Sequence, residues 1–396
     1  MSADPQLQKT IKHLYENAPA FRQRMDAAQL KPADIQTAAH LAQLPILRKD
    51  DLIELQRQHP PFGGLLAGPI THVQHIYLSP GPIHEPRPKG IQDAGRWSPA
   101  LRAAGFAPGQ LTINCFGYHM TPAGASLEDA LFAIDNIVLP GGIGNQEQQI
   151  QAILSYNITN YVGLPSYLKA LIDKAKAAGT PLPLRRAFVL AEPLPPSLRQ
   201  ALQAEGVAVY QGYGTAECGN LGYDCQALDG WHIPDGVIVQ ICDPVTGEPV
   251  PHGEQGEVVA TLLSGHYALV RFGVGDLSSI NEAPCTCGLT SLRLNGWQGR
   301  VGAATKVRGM FLHPSQLANM MKRFPQVSAY QAVITRANHR DDLKLNIVLQ
   351  NEEDETAVVH EISEIARQAL RFRMPVEVVS EIATGSSSIR DERVWE

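Results

Sequence analysis

The chain has no run of about 18 apolar residues, the length a helix needs to cross a bilayer. Its first residues, Met-Ser-Ala-Asp-Pro-Gln, contain no apolar core of a secretory leader. These absences point to a cytoplasmic protein with no membrane partner. A basic block is also missing: 33 Lys and Arg stand against 39 Asp and Glu, for a net charge of −6. That balance argues against a nucleic-acid partner. No internal repeat or low-complexity tract interrupts the 396 residues, which excludes a repeat array. In a reducing compartment the six cysteines are not expected to form disulfides, so their spacing needs another explanation.

What is present describes an α/β protein of more than one domain, since 396 residues exceed what one compact core holds. Residues 6–58 read as helices separated by polar turns, with apolar residues at helical spacing over 6–25. From 72 onward, short apolar runs alternate with helical patterns. Strands are expected near 73–78, 111–115, 136–139, 160–162, 186–190 and 207–211, with helices near 92–104, 127–132, 147–155, 165–178 and 195–204. That alternation predicts a mainly parallel sheet covered by helices, with ligand-binding loops at the carboxyl ends of the strands. Residues 232–298 read as a β-rich subdomain of short strands and turns. The last hundred residues follow a β-α-β-β-α-β order, which predicts a small ferredoxin-like α+β domain beyond a linker at 299–302.

Four metal-ligating residue types fall into two groups. Cys225 and His232 have six residues between them, and Cys285-Thr286-Cys287 lies between Pro284 and Gly288. Such a Cys3His set suits a closed tetrahedral zinc site, yet Cys-x-Cys is tighter than the usual spacing. Taken alone, the pattern leaves zinc ligands and free thiols equally open. Cys115, Cys218 and Cys242 read as small buried hydrophobes.

A series of segments resembles the phenylacetate–CoA ligase family of the adenylate-forming enzymes. Tyr213-Gly214-Thr215-Ala216-Glu217 is similar to the family's aromatic-Gly-x-x-Glu motif. Arg271 through Gly275-Asp276-Leu277 resembles its Arg-x-x-x-Gly-Asp-Leu motif. Gly299-Arg300, Lys306-Val307-Arg308-Gly309 and His313-Pro314-Ser315-Gln316 resemble its hinge and the start of its C-terminal domain. The segments 116–118, 140–145 and 163–167 fit as well, so the likeness runs along nearly the whole chain in consistent order.

The resemblance implies an AMP-binding domain over 1–299, with a zinc-binding β subdomain at about 213–298, and a mobile C-terminal domain over 300–396. It implies structural zinc on Cys225, His232, Cys285 and Cys287. It implies ATP-dependent conversion of an aromatic or other small carboxylic acid to an acyl-adenylate and then an acyl-CoA, with AMP, Mg²⁺ and coenzyme A as companions of the reaction. Under it, Tyr213 and Gly214 face the adenine together with Ala191 and Glu192, and Asp276 holds the ribose hydroxyls with Arg300 nearby. Glu217 binds Mg²⁺, and Phe116, Tyr118 and His119 line the acyl pocket. A homodimer is also implied.

Three departures from the family pattern stand out. Its phosphate loop ends in Lys-Pro, but here Ser79-Pro80-Gly81-Pro82-Ile83-His84-Glu85-Pro86 lacks the central hydroxyls and has Glu85 at the lysine position. Pro80 and Pro82 carry no backbone donor. A carboxylate about 4 Å from a phosphate charge costs roughly 4 kcal/mol at an effective dielectric of about 20. The adenylation lysine of a Gly-Lys turn is replaced by serines after Gly385, with Arg390 as the nearest cation. Leu190 stands where the family tends to have glycine. These losses support a second expectation: a homologue that binds acyl-CoA or nucleotide, or uses a preformed acyl-adenylate or thioester, without ATP-dependent adenylation.

Overall fold

The computed structural model describes residues 4–79, 81–301, 305–308, 310–312, 314–337, 340–350, 355–370, 374–383 and 386–393. Pro80, Gly302 of the expected linker, Gly309, His313 and Gly385 therefore lie outside the described residues. The chain divides into two units, one holding residues 1–194 and 198–299 and the other holding 195–197 and 300–396.

The first unit begins with helix Pro5–Asn17. Asp4 caps it by accepting from the Gln6 and Leu7 amides, and Pro5 occupies a first-turn position where no amide is needed. Leu7, Ile11 and Leu14 bury its apolar stripe. The apolar periodicity over 6–25 does not make one helix, because Pro19 starts a second, Pro19–Ala27.

The central nine-stranded sheet contains a parallel half of Ile137–Pro140, Leu111–Asn114, Asn160–Gly163, Arg186–Val189 and Ala208–Thr215, in that spatial order. The helices Ala123–Phe132, Gln146–Ser155, Pro165–Ala177 and Pro196–Ala204 alternate with these strands along the chain. Successive side chains of a strand point to opposite faces. Accordingly Tyr161 and Val189 join one core with Leu168, Leu171 and Leu198, whereas Val162 and Phe188 join another with Trp97, Leu101 and Leu127. Burial on both faces is why these strands read as continuous apolar runs. The α/β expectation is met.

The sheet then continues antiparallel through Gly219–Tyr223, Trp231–His232, Arg293–Leu294 and Ile280–Asn281. Residues 213–298 thus do not form one separate sheet. Only Val237–Cys242, Gly256–Leu262 and Phe272–Ser278 make their own three-stranded antiparallel sheet. Arg271, just before that last strand, is fully buried and donates to the carbonyls of Ala42, Leu44 and Gly247. The arginine of the expected motif therefore acts as a clamp on the N-terminal segment.

Two local expectations change. The helix expected over 92–104 is confined to Ser98–Ala103, because Asp93 and Arg96 adopt left-handed backbone angles that interrupt it. The Pro/Gly-rich stretch from Ser79 is a hairpin: Val73–Ser79 pairs with Ile83–Pro88, with Tyr77 opposite Glu85 and Ser79 opposite Ile83.

The second unit holds a four-stranded sheet of Val376–Val378, Arg340–Leu349, Val327–Ala337 and Ile389–Asp391, in that order. Helix Glu355–Leu370 and helix Pro314–Met321 pack on each other, and their apolar residues share one core with the sheet. The first strand of this unit, Thr305–Val307, pairs with Met310–Leu312 in a two-stranded ribbon instead of joining the sheet, and Ile389–Asp391 fills the sheet edge beside Val327–Ala337.

Candidate functional site

The aromatic-Gly-x-x-Glu motif is the turn joining strands Ala208–Thr215 and Gly219–Tyr223. Its glycines are required by close approach. A Cβ on Gly214 would lie 2.1 Å from the Gly219 carbonyl oxygen, and one on Gly219, at φ +69°, would lie 2.7 Å from that of Gly95. The Tyr213 ring stacks on Trp231, with centroids 5.1 Å apart, and its hydroxyl donates to Asp276 at 3.0 Å. The Trp297 indole donates to the other Asp276 oxygen at 3.1 Å. Two motifs 63 residues apart in sequence therefore meet through one buried carboxylate.

On the far side of the motif turn, Glu217 is 7% exposed and lies 2.5 Å from the Lys49 ammonium. Lys49 opens helix Lys49–Gln58 beside Arg48, whose guanidinium pairs with buried Glu257. Two consecutive cations at a helix N-terminus oppose the helix dipole. Each is offset by a buried carboxylate.

Glu85, 5% exposed, accepts from Ser79 Oγ at 2.8 Å. Burial foremost, and then the charge of Glu217, pushes the Glu85 carboxyl well above the ordinary carboxylate range. For Glu217, burial works against ionisation, but the Lys49 ammonium more than offsets it and holds that carboxyl below its ordinary value. Burial thus disfavours the charged form of Glu85 while Lys49 favours that of Glu217, and the position does not supply the lysine's charge.

A cavity of about 490 Å³ opens beside these groups, lined among others by Tyr77, Glu85, Arg87, Arg96, Ser126 and Glu217. Arg87 pairs with Asp129, while Arg96 donates to the carbonyls of Ala94 and Cys218. Phe116, Tyr118 and His119 are not brought to this lining. Phe116 is buried in the core with Trp97 and Phe188, Tyr118 accepts from Asn114 Nδ2 at 2.9 Å, and His119 is exposed. Leu190 belongs to the same core as Phe116. Ala191 follows in a left-handed conformation, φ +69°, and Glu192 accepts from Ser166 Oγ at 2.6 Å. In the second unit Arg300 begins the chain beyond Gly299. Arg390, on strand Ile389–Asp391, is exposed and paired with Glu392 at 2.6 Å.

The metal-type residues converge. One ligand atom each from Cys225, His232, Cys285 and Cys287 lies within 4.8 Å of all the others. Cys225 Sγ is 3.6 Å from Cys285 Sγ, too far for the ~2.05 Å bond of a disulfide, and Cys287 Sγ is 3.4 Å from His232 Nε2. A tetrahedron with ~2.3 Å metal–sulfur and ~2.0 Å metal–nitrogen bonds has edges of roughly 3.5–3.8 Å, close to both separations. His232 is set by strand pairing to Tyr223 and Arg293, and its other ring nitrogen meets Ser291 Oγ at 3.0 Å. Buried Arg293 ties the two ligand loops by donating to Asp229 and to the Ala283 carbonyl.

An AMP-binding enzyme model matches residues 133–262 and an AMP-binding enzyme C-terminal domain model matches 309–396. The chain belongs to the AMP-binding enzymes. Relatives include the phenylacetate–coenzyme A ligases of Thermus thermophilus, 29% identical with 87% of this chain and 80% of that protein covered, and of Escherichia coli K12, 28% identical with 90% and 83% covered. Among solved structures, 2-hydroxyisobutyryl-CoA ligase with 2-HIB-AMP and CoA is 23% identical at TM-score 0.90, covering 98% of this chain and 88% of that one. The o-succinylbenzoate CoA synthetase of Bacillus subtilis is 14% identical at TM-score 0.60, covering 81% and 68%. Both likenesses are of fold. Within this family frame, Lys49, Arg96, Trp231 and Trp297 are the site residues that sequence reasoning missed. The only local signal was Trp297 beside Gly296, just before the linker.

The raised Glu85 carboxyl has a stability consequence. A folded-state value above the unfolded ~4.3 means the native state holds the proton longer, so stability is full below pH ~4.3 and declines as pH rises through the folded value. Glu217 acts with the opposite sign at lower pH. Glu85→Gln should therefore gain melting temperature over the wild type with rising pH above 4.3, by a few degrees at pH 8, checked by thermal melts across pH 4–9. A constant difference would show that Glu85 ionises normally.

Proposed function

We propose that this chain is an AMP-forming acid–thiol ligase that converts a small carboxylic acid to its acyl-adenylate and then to an acyl-CoA. The observation that carries the reading is the meeting of Tyr213 and Asp276, with Glu217 at the far end of the same turn and a cavity beyond it. In the first step a carboxylate oxygen attacks the α-phosphorus of ATP, and the bond to the pyrophosphate oxygen breaks. In the second the CoA thiolate attacks the acyl carbon, and the bond to AMP breaks.

In this reading Tyr213 and Gly214, with Ala191 and Glu192, flank the adenine. Asp276 accepts from the ribose hydroxyls, taking the place of the Trp297 indole hydrogen bond, with Arg300 assisting. Glu217 would hold Mg²⁺, which when bound would supply positive charge against that growing on the leaving pyrophosphate. Its fit rests on a buried carboxylate kept ionised by Lys49, which must release it. Arg390 is the cation offered in place of the missing lysine. The cytoplasm and a homodimer complete the proposal.

Acid-dependent pyrophosphate release from Mg·ATP, measured across a panel of small carboxylic acids, is expected for at least one acid, followed by thioester formation with CoA. Glu217→Gln should lower kcat/KM about 100-fold. No release with any acid, from protein that binds AMP by calorimetry, would overturn the ligase reading in favour of binding alone.

Cys225, His232, Cys285 and Cys287 are proposed to hold one structural zinc. Four protein ligands leave no open position for catalysis. Elemental analysis of chelator-free protein should find about one zinc per chain, and Cys285→Ser should lose it together with several degrees of melting temperature. Zinc-free, fully folded wild type would refute the site.

A further inference from the structure

Glu217 borders the cavity, but its carboxylate is covered. The Lys49 ammonium lies 2.5 Å from Oε1, and the lysine side chain is 26% exposed where that of Glu217 is 2% exposed. Lys49 is thus the outer member of the pair. The carboxylate is fixed from within its own turn, where the Thr215 hydroxyl donates to it and the Cys218 amide donates to Thr215 Oγ at 3.1 Å. Lys49 reaches it from a different element, the first residue of helix Lys49–Gln58, on a flexible four-carbon stem.

Two features make the ammonium the member that can give way. It has solvent beside it, and the dipole of its own helix opposes a cation in the first turn. Glu217, by contrast, cannot be left bare. Glu85 is also buried, and its carboxyl is near enough to feel the charges of both Glu217 and Lys49. Withdrawing the ammonium without a substitute would leave a buried carboxylate unpaired beside a second carboxyl, the costly case for buried ions. The position therefore calls for a cation with or without Lys49. A small hard divalent ion, which takes carboxylate and phosphate oxygens and keeps several waters, suits a carboxylate at the edge of a cavity.

We propose that Lys49 is a tethered counter-ion that competes with Mg²⁺ for Glu217, covering the carboxylate when no metal is bound and swinging off it when metal binds. Naming Mg²⁺ as the incoming ion rests on the function proposed above; the competition itself rests on the covered carboxylate. Lys49 is then a positioning residue that sets how tightly a metal must bind to open the site. It makes Glu217 a poor site for the bare ion and a better one for metal that arrives on a nucleotide, because phosphate oxygens supply the further ligands.

The test is metal binding without nucleotide. Mn²⁺ is titrated into wild type, Lys49→Gln, Lys49→Arg and the double variant Lys49→Gln with Glu217→Gln. The unbound ion is read by electron paramagnetic resonance, with Mg²⁺ as competitor and circular dichroism as the check of folding. Lys49→Gln should bind about 10-fold tighter than wild type or more, because the metal no longer displaces a buried ion pair. Lys49→Arg, which keeps the charge, should stay within about 3-fold of wild type, and the double variant should lose the gain. A purely structural role for Lys49 would not move the metal affinity in this pattern. Wild type carries a second readout that needs no substitution. Acetylation of Lys49 by an N-hydroxysuccinimide ester, quantified by mass spectrometry, should rise about 3-fold at saturating Mg²⁺ over NaCl of equal ionic strength. Folded Lys49→Gln within about 2-fold of wild type, Lys49→Arg as tight as Lys49→Gln, a gain that survives Glu217→Gln, or unchanged acetylation of Lys49 overturns the proposal. If an acid releases pyrophosphate while metal affinity and acetylation do not respond, the inference fails and the ligase reading stands. If no acid releases pyrophosphate but Lys49→Gln gains Glu217-dependent Mn²⁺ binding, the ligase reading fails and the competition stands.

Discussion

Two buried carboxyl groups, Glu85 and Glu217, share a neighbourhood with the Lys49 ammonium, and the organisation of the candidate site depends on how that charge is divided. Lys49 touches Glu217 and leaves Glu85 to a serine hydroxyl. Burial and the charge of Glu217 push the Glu85 carboxyl up, while Lys49 holds that of Glu217 down, since two buried anions beside one cation would leave an uncompensated charge. The arrangement spans three distant pieces of chain: the hairpin from Val73, the helix from Lys49 and the motif turn at Glu217. Taking Lys49 away would leave a buried carboxylate unpaired, which costs about 3–5 kcal/mol in comparable settings.

The same turn connects the charge cluster to the metal-type cluster. Tyr213 stacks on Trp231, and Trp231 is adjacent to His232 in a two-residue strand held between neighbours. A metal fixing His232 would therefore also fix the platform behind Tyr213. This gives a site far from the chemistry a direct mechanical reason to exist. Asp276 closes the arrangement by accepting from both Tyr213 and Trp297.

Much of this was legible in the sequence, for physical reasons. Parallel strands buried on both faces announce themselves as short apolar runs, and the Cys225, His232, Cys285 and Cys287 spacing named the very residues that converge. The helix from Gln92 was misread because the apolar spacing near Trp97 and Leu101 ignores left-handed turns at Asp93 and Arg96, which composition does not encode. Glu85 was singled out, but the upward push on its carboxyl from burial and from the charge of Glu217, 132 residues along the chain, has no local sequence signal. Lys49 and Arg96 carry no local pattern at all. Their places emerge only when tertiary structure sets one against a buried acid and ties the other to the carbonyls of Ala94 and Cys218.

The central claim is that burial beside Glu217 favours the protonated form of Glu85 in the folded protein, while Lys49 favours the ionised form of Glu217. Infrared difference spectroscopy of wild type against Glu85→Gln at neutral pH, with carbon-13-labelled glutamate, tests it directly. The account predicts that the labelled wild type shows the C=O stretch of a neutral buried carboxylic acid and that Glu85→Gln loses it. A wild-type spectrum containing only ionised carboxylate bands would contradict it.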